Sequence, residues 1–262
     1  MSTPSKKTYP FKLALVTGAS SGLGLALCQR LAKEQIPLLL VGKNPERLHA
    51  AATLLPNVIE TLCLDLAQDR GKLLNLIRQY APDLVINNAG FGLYGPALMH
   101  KTSSQMDILE VNATAPIEIS LEAVKVLYAQ KKQGVILNVS SIAGELSMPS
   151  MAVYAAAKGC LTSFSKSFDA EMRPFEIRIL VALPGQINTE FATRASNSGY
   201  VQRSKWALKK EDAAEQIWKQ IVLRKGVQVI GFRNRLALGI IRFFPRRLVD
   251  WAIQKNLSNR FY

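Results

Sequence analysis

A single junction near the start of this chain narrows its fold more than any other stretch. Lys12–Val16 (K-L-A-L-V) is a short apolar run bounded by turn residues, the pattern of a buried strand. T-G-A-S-S-G-L-G follows directly, from Thr17 to Gly24. After it, Leu23, Ala26, Leu27, Arg30 and Leu31 recur at the three-four spacing of an amphipathic helix. Strand, glycine turn and helix in that order form a phosphate cradle: Gly18 permits the tight turn, and Gly22 and Gly24 allow close backbone approach. The helix amino terminus then faces the anion. Gly18, Ser20, Ser21, Gly22, Leu23 and Gly24 are the candidate binding residues of this turn. The spacing is G-x-x-x-G-x-G, and an ordinary glycine-rich turn is the competing reading.

The rest of the chain repeats the alternation. Apolar runs at Pro37–Val41, Val58–Leu64, Asp83–Ile86, Gly134–Val139, Ile177–Ala182 and Val227–Ile230 are separated by helical stretches. Asn44 followed by Pro45 reads as an N-cap and first helical position. Strands alternating with helices imply an α/β fold with a parallel sheet covered on both faces. Seven strands in the order 3-2-1-4-5-6-7 are expected, and 262 residues suit one large domain.

Polar residues collect where these strands end, the edge at which open α/β sheets bind ligands. No acid closes the second strand, where a ribose 2′-hydroxyl would need one; Lys43 stands there and suits a 2′-phosphate, so NADP(H) is expected over NAD(H). Asp65-Leu66 ends the third strand. Asn87-Asn88-Ala89-Gly90 follows the fourth, with small residues able to lie flat under a cofactor. Asn112 falls at a break between helical stretches 103–111 and 116–131, where a helix cap is the plainer reading. Ser140 and Ser141 end the fifth strand. Tyr154 and Lys158 lie four apart, on one helix face. An ammonium beside a tyrosine favours the phenolate and is expected to lower its usual pKa of about 10. Pro184-Gly185-Gln186-Ile187-Asn188-Thr189 ends the sixth strand.

These signals in this order resemble the short-chain dehydrogenase/reductase family, from about residue 11 to residue 231. The resemblance implies a Rossmann-like doubly wound sheet and hydride transfer between nicotinamide and a carbonyl or secondary alcohol. It implies Tyr154 as acid/base, with Lys158 lowering its pKa and holding the nicotinamide ribose. Ser141, thirteen residues before the tyrosine, would hold the substrate oxygen, and Asn112 would anchor a proton-relay water. Asp65 and Leu66 would lie at the adenine, Asn88, Ala89 and Gly90 along the cofactor. Pro184, Gly185, Ile187 and Thr189 would meet the carboxamide and pyrophosphate. Members often carry a basic residue where this chain has Ser21, which leaves Lys43 to set the NADP preference. The family commonly forms homo-dimers or tetramers. An NADP(H)-binding sensor without chemistry and an isomerase or epimerase using the same site are the alternatives.

The net charge of +14 is uneven: residues 194–262 hold 15 Lys+Arg against 4 Asp+Glu. The segment 232–262 is apolar with arginine borders. It fits helices packed near the substrate pocket, an oligomer contact or a peripheral membrane contact. Nucleic acid is not expected, because no nucleic-acid module is present. Such a tail suits a lipophilic small-molecule substrate. Residues 1–10 read as a disordered lead, not a signal peptide, and no apolar run is long enough to span a bilayer, so a cytoplasmic protein is expected, with membrane association as an added contact. Cys28, Cys63 and Cys160 have no metal-ligand spacing and are expected to be buried, in a reducing compartment; no metal site is expected. Residues 191–209 read as a mobile loop over the site.

Overall fold

The computed structural model describes residues 11–196, 207–241, 243–245 and 247–251. The lead at 1–10, the centre of the expected loop at 197–206 and the tail from 252 onward lie outside the described residues. Seven strands form one parallel sheet: β1 (Ala14–Thr17), β2 (Leu38–Gly42), β3 (Val58–Cys63), β4 (Leu84–Asn87), β5 (Gly134–Val139), β6 (Ile177–Pro184) and β7 (Val227–Ile230). Their order is β3-β2-β1-β4-β5-β6-β7, the doubly wound Rossmann-like arrangement expected.

The helices between them are α1 (Gly22–Lys33), α2 (Pro45–Thr53), α3 (Gly71–Tyr80), α4 (Thr102–Leu109), α5 (Ala115–Ala129), α6 (Ala152–Met172), α7 (Phe191–Ala195), α8 (Lys210–Val222) and α9 (Phe232–Ile241). β1, β2, β4 and β5 are buried at every position, because helices cover both faces of the sheet. One face packs Leu27 and Leu31 of α1 with Ile217 and Ile221 of α8. The other packs Leu73 and Ile77 of α3 with Ile119 and Leu127 of α5. β3 is an edge strand and alternates half-buried with exposed residues.

That alternation corrects one expectation. Cys63 is exposed on β3 and Cys160 on the outer side of α6; Cys28 is buried. A cysteine in an apolar segment takes the side its register gives it, and segment composition does not report register. Asn44 caps α2 as expected, accepting from the Arg47 N–H at 2.8 Å, with Pro45 at the first position. Residues 191–209 are not a loop throughout: Phe191–Ala195 is helical, and Leu208 pairs with Ile187 as an isolated bridge.

A buried polar network ties the sheet to its helices beneath the carboxyl edge. Asn87 Nδ2 of β4 donates to Asn138 Oδ1 of β5 at 2.8 Å, and Asn138 Nδ2 donates to Ser165 Oγ of α6 at 2.8 Å. Ser120 Oγ of α5 donates to Pro116 O at 2.6 Å and lies 3.3 Å from Asn138 Oδ1. These bonds tie α5 and α6 to β4 and β5, with Asn87 Oδ1 left without a partner among the described residues.

Candidate active site

β5 runs out at Val139 and leaves two serines in sequence. Ser140 Oγ points into the protein, donating to Lys158 O at 2.9 Å and meeting Thr162 Oγ1 at 2.8 Å. Ser141 Oγ takes the other direction. It lies 3.4 Å from Pro184 O as a donor, accepts from the Ala143 N–H at 3.1 Å, and is near enough to the Tyr154 hydroxyl to pull its pKa down. Extended backbone at Ser141 turns consecutive side chains to opposite sides, which separates the pair.

Tyr154 and Lys158 stand one turn apart on α6, both buried although they lie at the sheet edge. Lys158 Nζ donates to Val139 O at 2.9 Å and sits 5.8 Å from the centre of the Tyr154 ring. Burial dominates the protonation of both. It pushes the Tyr154 hydroxyl up to about 12, with the Ser141 hydrogen bond pulling back and Tyr94 adding to the rise. It pulls the Lys158 ammonium down to about 7. Burial therefore opposes the expected lowering of the tyrosine by the lysine. Desolvation disfavours both charged forms at once, and the ammonium that would favour a phenolate is itself destabilised.

Asn112 is fully buried, and its setting differs from the expected cap. α4 and α5 are joined without a break by a π-helical turn, Glu110–Thr114, in which the Ala115 N–H reaches back five residues to Glu110 O. Asn112 Nδ2 donates to Ile108 O at 2.9 Å and Phe91 O at 2.8 Å. Its Oδ1 is buried with no partner among the described residues. A Cβ built on Gly90 would lie 2.6 Å from that oxygen and 3.5 Å from Lys158 Nζ, so Gly90 separates the two groups. The site thus brings together Asn112, Ser141, Tyr154, Lys158 and Gly90.

The glycine turn meets the same edge. Gly18 has φ +65°, and a Cβ there would stand 2.9 Å from Ala89 Cα. Asn88 Nδ2 donates to Thr17 O at 3.0 Å, and Thr17 Oγ1 accepts from the N–H groups of Asn88 and Ala89 at 3.0 and 3.1 Å. Thr17 was not singled out from sequence; a buried threonine ending a strand just ahead of a glycine turn was the signal available. Ser20 packs at the end of β2 against Gly42, and Leu23 is buried behind the turn. Thr189 stands over Gly22, its Cβ 3.5 Å from where a Cβ of residue 22 would be. Ser21 precedes α1 but forms no side-chain cap, and the first turn carries no acid, so the leading N–H groups suit a phosphate.

Lys43 Nζ pairs with Asp65 at 2.6 Å, and Asp65 also accepts from the Ala67 N–H at 3.1 Å. Burial raises Asp65, but these bonds outweigh it and hold the carboxyl below its ordinary value. Leu66 is buried beside it. Ile187 is held by its bridge to Leu208, and a Cβ on Gly185 would strike Asn234 of α9. The residues present fit a dinucleotide: an uncapped helix start behind a glycine turn, and an unpaired buried acceptor, Asn112 Oδ1, near Lys158.

The family model of the short chain dehydrogenases matches residues 12–198. The chain is a short-chain dehydrogenase/reductase. Among its relatives is "Dehydrogenase/reductase SDR family member 4" of Rattus norvegicus, 30% identical over 190 residues, 70% of this chain and 68% of that one. The "NADPH-dependent 1-acyldihydroxyacetone phosphate reductase" of Saccharomyces cerevisiae is 27% identical and aligns over 97% of this chain and 93% of its own. The fold of this short-chain dehydrogenase/reductase is shared with a Sphingobium yanoikuyae short-chain dehydrogenase in complex with NADPH, at TM-score 0.77, 23% identity and coverage of 89% and 96% of the two chains. A 4-hydroxyisoleucine dehydrogenase complexed with NADH matches at TM-score 0.74 and 23% identity, covering 84% and 96%. The family is one of oxidoreductases, and its fold binds nicotinamide cofactors with either nucleotide.

Two groupings in this short-chain dehydrogenase/reductase were not legible beforehand. Glu190 accepts from Arg47 Nη1 at 2.9 Å and from Arg194 Nη2 at 2.5 Å, and Arg194 Nη2 also lies 3.2 Å from Ser21 Oγ. An arginine thus stands by Ser21 from far along the chain. Above Tyr154, Ile108, Ala143 and Met151 form an apolar cluster with Phe91, Tyr94, Met148 and Phe191. The Phe191 ring lies 5.6 Å from that of Tyr154. Among the described residues, no helix is long and apolar enough to cross a membrane.

Proposed function

We propose that this chain is an NADP(H)-dependent carbonyl reductase or alcohol dehydrogenase acting on a lipophilic substrate, with Tyr154, Ser141, Lys158 and Asn112 as its working residues. The observation that carries the reading is the convergence of Ser141 and Lys158 on a buried Tyr154 at the sheet's carboxyl edge, beneath an apolar wall. The nicotinamide, when bound, supplies or accepts the hydride. Ser141 and Tyr154 hydrogen-bond the substrate oxygen as negative charge develops there. Tyr154 gives that oxygen its proton, and Lys158 and the free Asn112 Oδ1 flank the path by which the proton is restored. NADPH oxidation measured against a panel of ketones of increasing apolar bulk tests the reading; no turnover with any of them, despite NADPH binding, would overturn it.

The lipophilic substrate is supported by the cluster of Phe91, Met148, Met151 and Phe191 around Tyr154, and by the acyl-bearing substrate named for the yeast relative. The NADP preference rests on Lys43. That side chain is three-quarters exposed, so its attraction for a 2′-phosphate is screened and modest. Lys43→Ala is expected to raise the Kd for NADPH about two- to fivefold and to leave that for NADH unchanged, as read by fluorescence titration.

The pH dependence follows from the two buried groups. Tyr154 remains protonated far above neutrality, so its proton is present for reduction across the working range. Lys158 is charged below about 7 and neutral above it. Reductive kcat/KM is expected to be highest below that point and to fall as pH rises through it, because the tyrosinate left after proton transfer loses its neighbouring cation. Lys158→Met should remove this inflection. Oxidation needs the phenolate, populated on the order of 10⁻⁵ at neutral pH for a pKa near 12, so its rate should climb with pH.

A further inference from the structure

Exposed apolar side chains are concentrated at one place. Seven of the 17 exposed large hydrophobic residues among the described ones fall between Phe232 and Trp251. α9 explains how. Asn234, Leu238 and Ile241 form its inner side: Leu238 is buried, and Asn234 packs at Gly185 and donates to Ile230 O at 2.7 Å. At about 100° per residue, Phe232, Leu236 and Ile240 fall within about 80° of arc on the opposite side. Phe232 is 72% and Leu236 54% exposed, and Phe243, in the turn that follows, is 89% exposed. Leu248 and Trp251 continue the apolar surface, exposed by 55% and 60%. Arg233 and Arg235 flank the α9 stripe. From residue 232 to residue 251 the sequence has five arginines and one acid, Asp250.

A helix with one face on its own domain and an apolar stripe outward is built for a second medium. The occupant is chosen by charge. A second copy of this chain would bring the exposed Arg235 and Arg247 against like charges, whereas an anionic bilayer surface offers apolar depth for Phe232, Leu236, Ile240 and Phe243 and negative headgroups for Arg235 and Arg247. We propose that the outward face of α9 and the turn after it dock this protein on anionic lipid bilayers, lying in the interface without crossing it. The proposal is independent of the hydride chemistry, since bilayer docking needs neither cofactor nor turnover.

Cosedimentation of the full chain with phosphatidylglycerol–phosphatidylcholine vesicles (roughly 3:7) and with pure phosphatidylcholine vesicles tests it. Anionic vesicles are expected to bind at least about tenfold more protein, with Leu236→Ser/Ile240→Ser reducing binding more than tenfold. Arg235→Gln is expected to reduce it about fivefold and raised salt to weaken it. The substituted side chains are exposed, so thermal melting and solution mass by light scattering should match the parent. Equal binding to neutral vesicles, or no binding to either, would overturn the proposal. So would a change of solution mass in Leu236→Ser/Ile240→Ser without lipid, because that result makes the face a contact between copies.

Discussion

Tyr154→Phe is expected to lower the reductive kcat by about 10³–10⁴-fold while NADPH binds as before. The substitution removes one oxygen and keeps the ring that packs on Phe191 and Met151. On the proposed reading that hydroxyl supplies the proton, since the Ser141 hydroxyl is too weak an acid and Lys158 Nζ is turned to Val139 O. Stability should change by no more than about 1 kcal/mol, because the ring and its packing are kept and only a hydroxyl is lost. Stopped-flow hydride transfer beside a NADPH fluorescence titration separates the effects. Retained transfer would remove Tyr154 from its role, and lost NADPH affinity would make it a binding residue.

Gly24→Ala is expected to damage both cofactor binding and stability. In an exposed helix the change would help by up to about 1 kcal/mol. Here a Cβ would lie 2.1 Å from Gly18 O and 2.8 Å from Gly18 C, backbone atoms that cannot swing aside as a side chain can. The turn between β1 and α1 must move, at a cost of about 1–3 kcal/mol, so the clash outweighs the propensity. Movement there also misplaces the leading N–H groups of α1. Each charge-assisted bond lost to a phosphate costs about 1.5–3 kcal/mol, so the Kd for NADPH should rise about tenfold to hundredfold. Gly239→Ala on α9 is the control, since a Cβ there meets nothing within 4 Å. A melting curve and an NADPH titration of both variants decide it; equal behaviour would mean that the cradle is looser than its contacts imply.

The strand order and the gathering of polar residues along one edge were legible because they follow from alternation and from strand ends, which composition marks. Ser140 and Ser141 turn their hydroxyls to different partners, which adjacency in sequence does not show. What could not be read depended on distance in space. Lys43 and Asp65 were each singled out, but their pairing arises only when β2 and β3 lie side by side. Arg194 beside Ser21 joins residues 173 apart. The spacing of Tyr154 and Lys158 gives their proximity and not the desolvation that opposes charge on both. Asn112 looked like a cap because residue types around it do not encode which carbonyl an N–H will choose.

That choice has a consequence for anyone who would edit or transplant this region. A π turn carries about one residue more than the α-helical path it replaces. α5 therefore runs out of phase with α4, and the mismatch is what sets Asn112 Oδ1 against Gly90 while Ile119, Ala123 and Leu127 still meet the sheet. Removing one residue between Glu110 and Thr114 would restore a regular helix and rotate one half against the other by about 100°. Either the core contacts of α5 or the position of Asn112 would be kept, but not both. The irregular turn is thus the point at which packing and polar geometry, each with its own register, are reconciled in one helix.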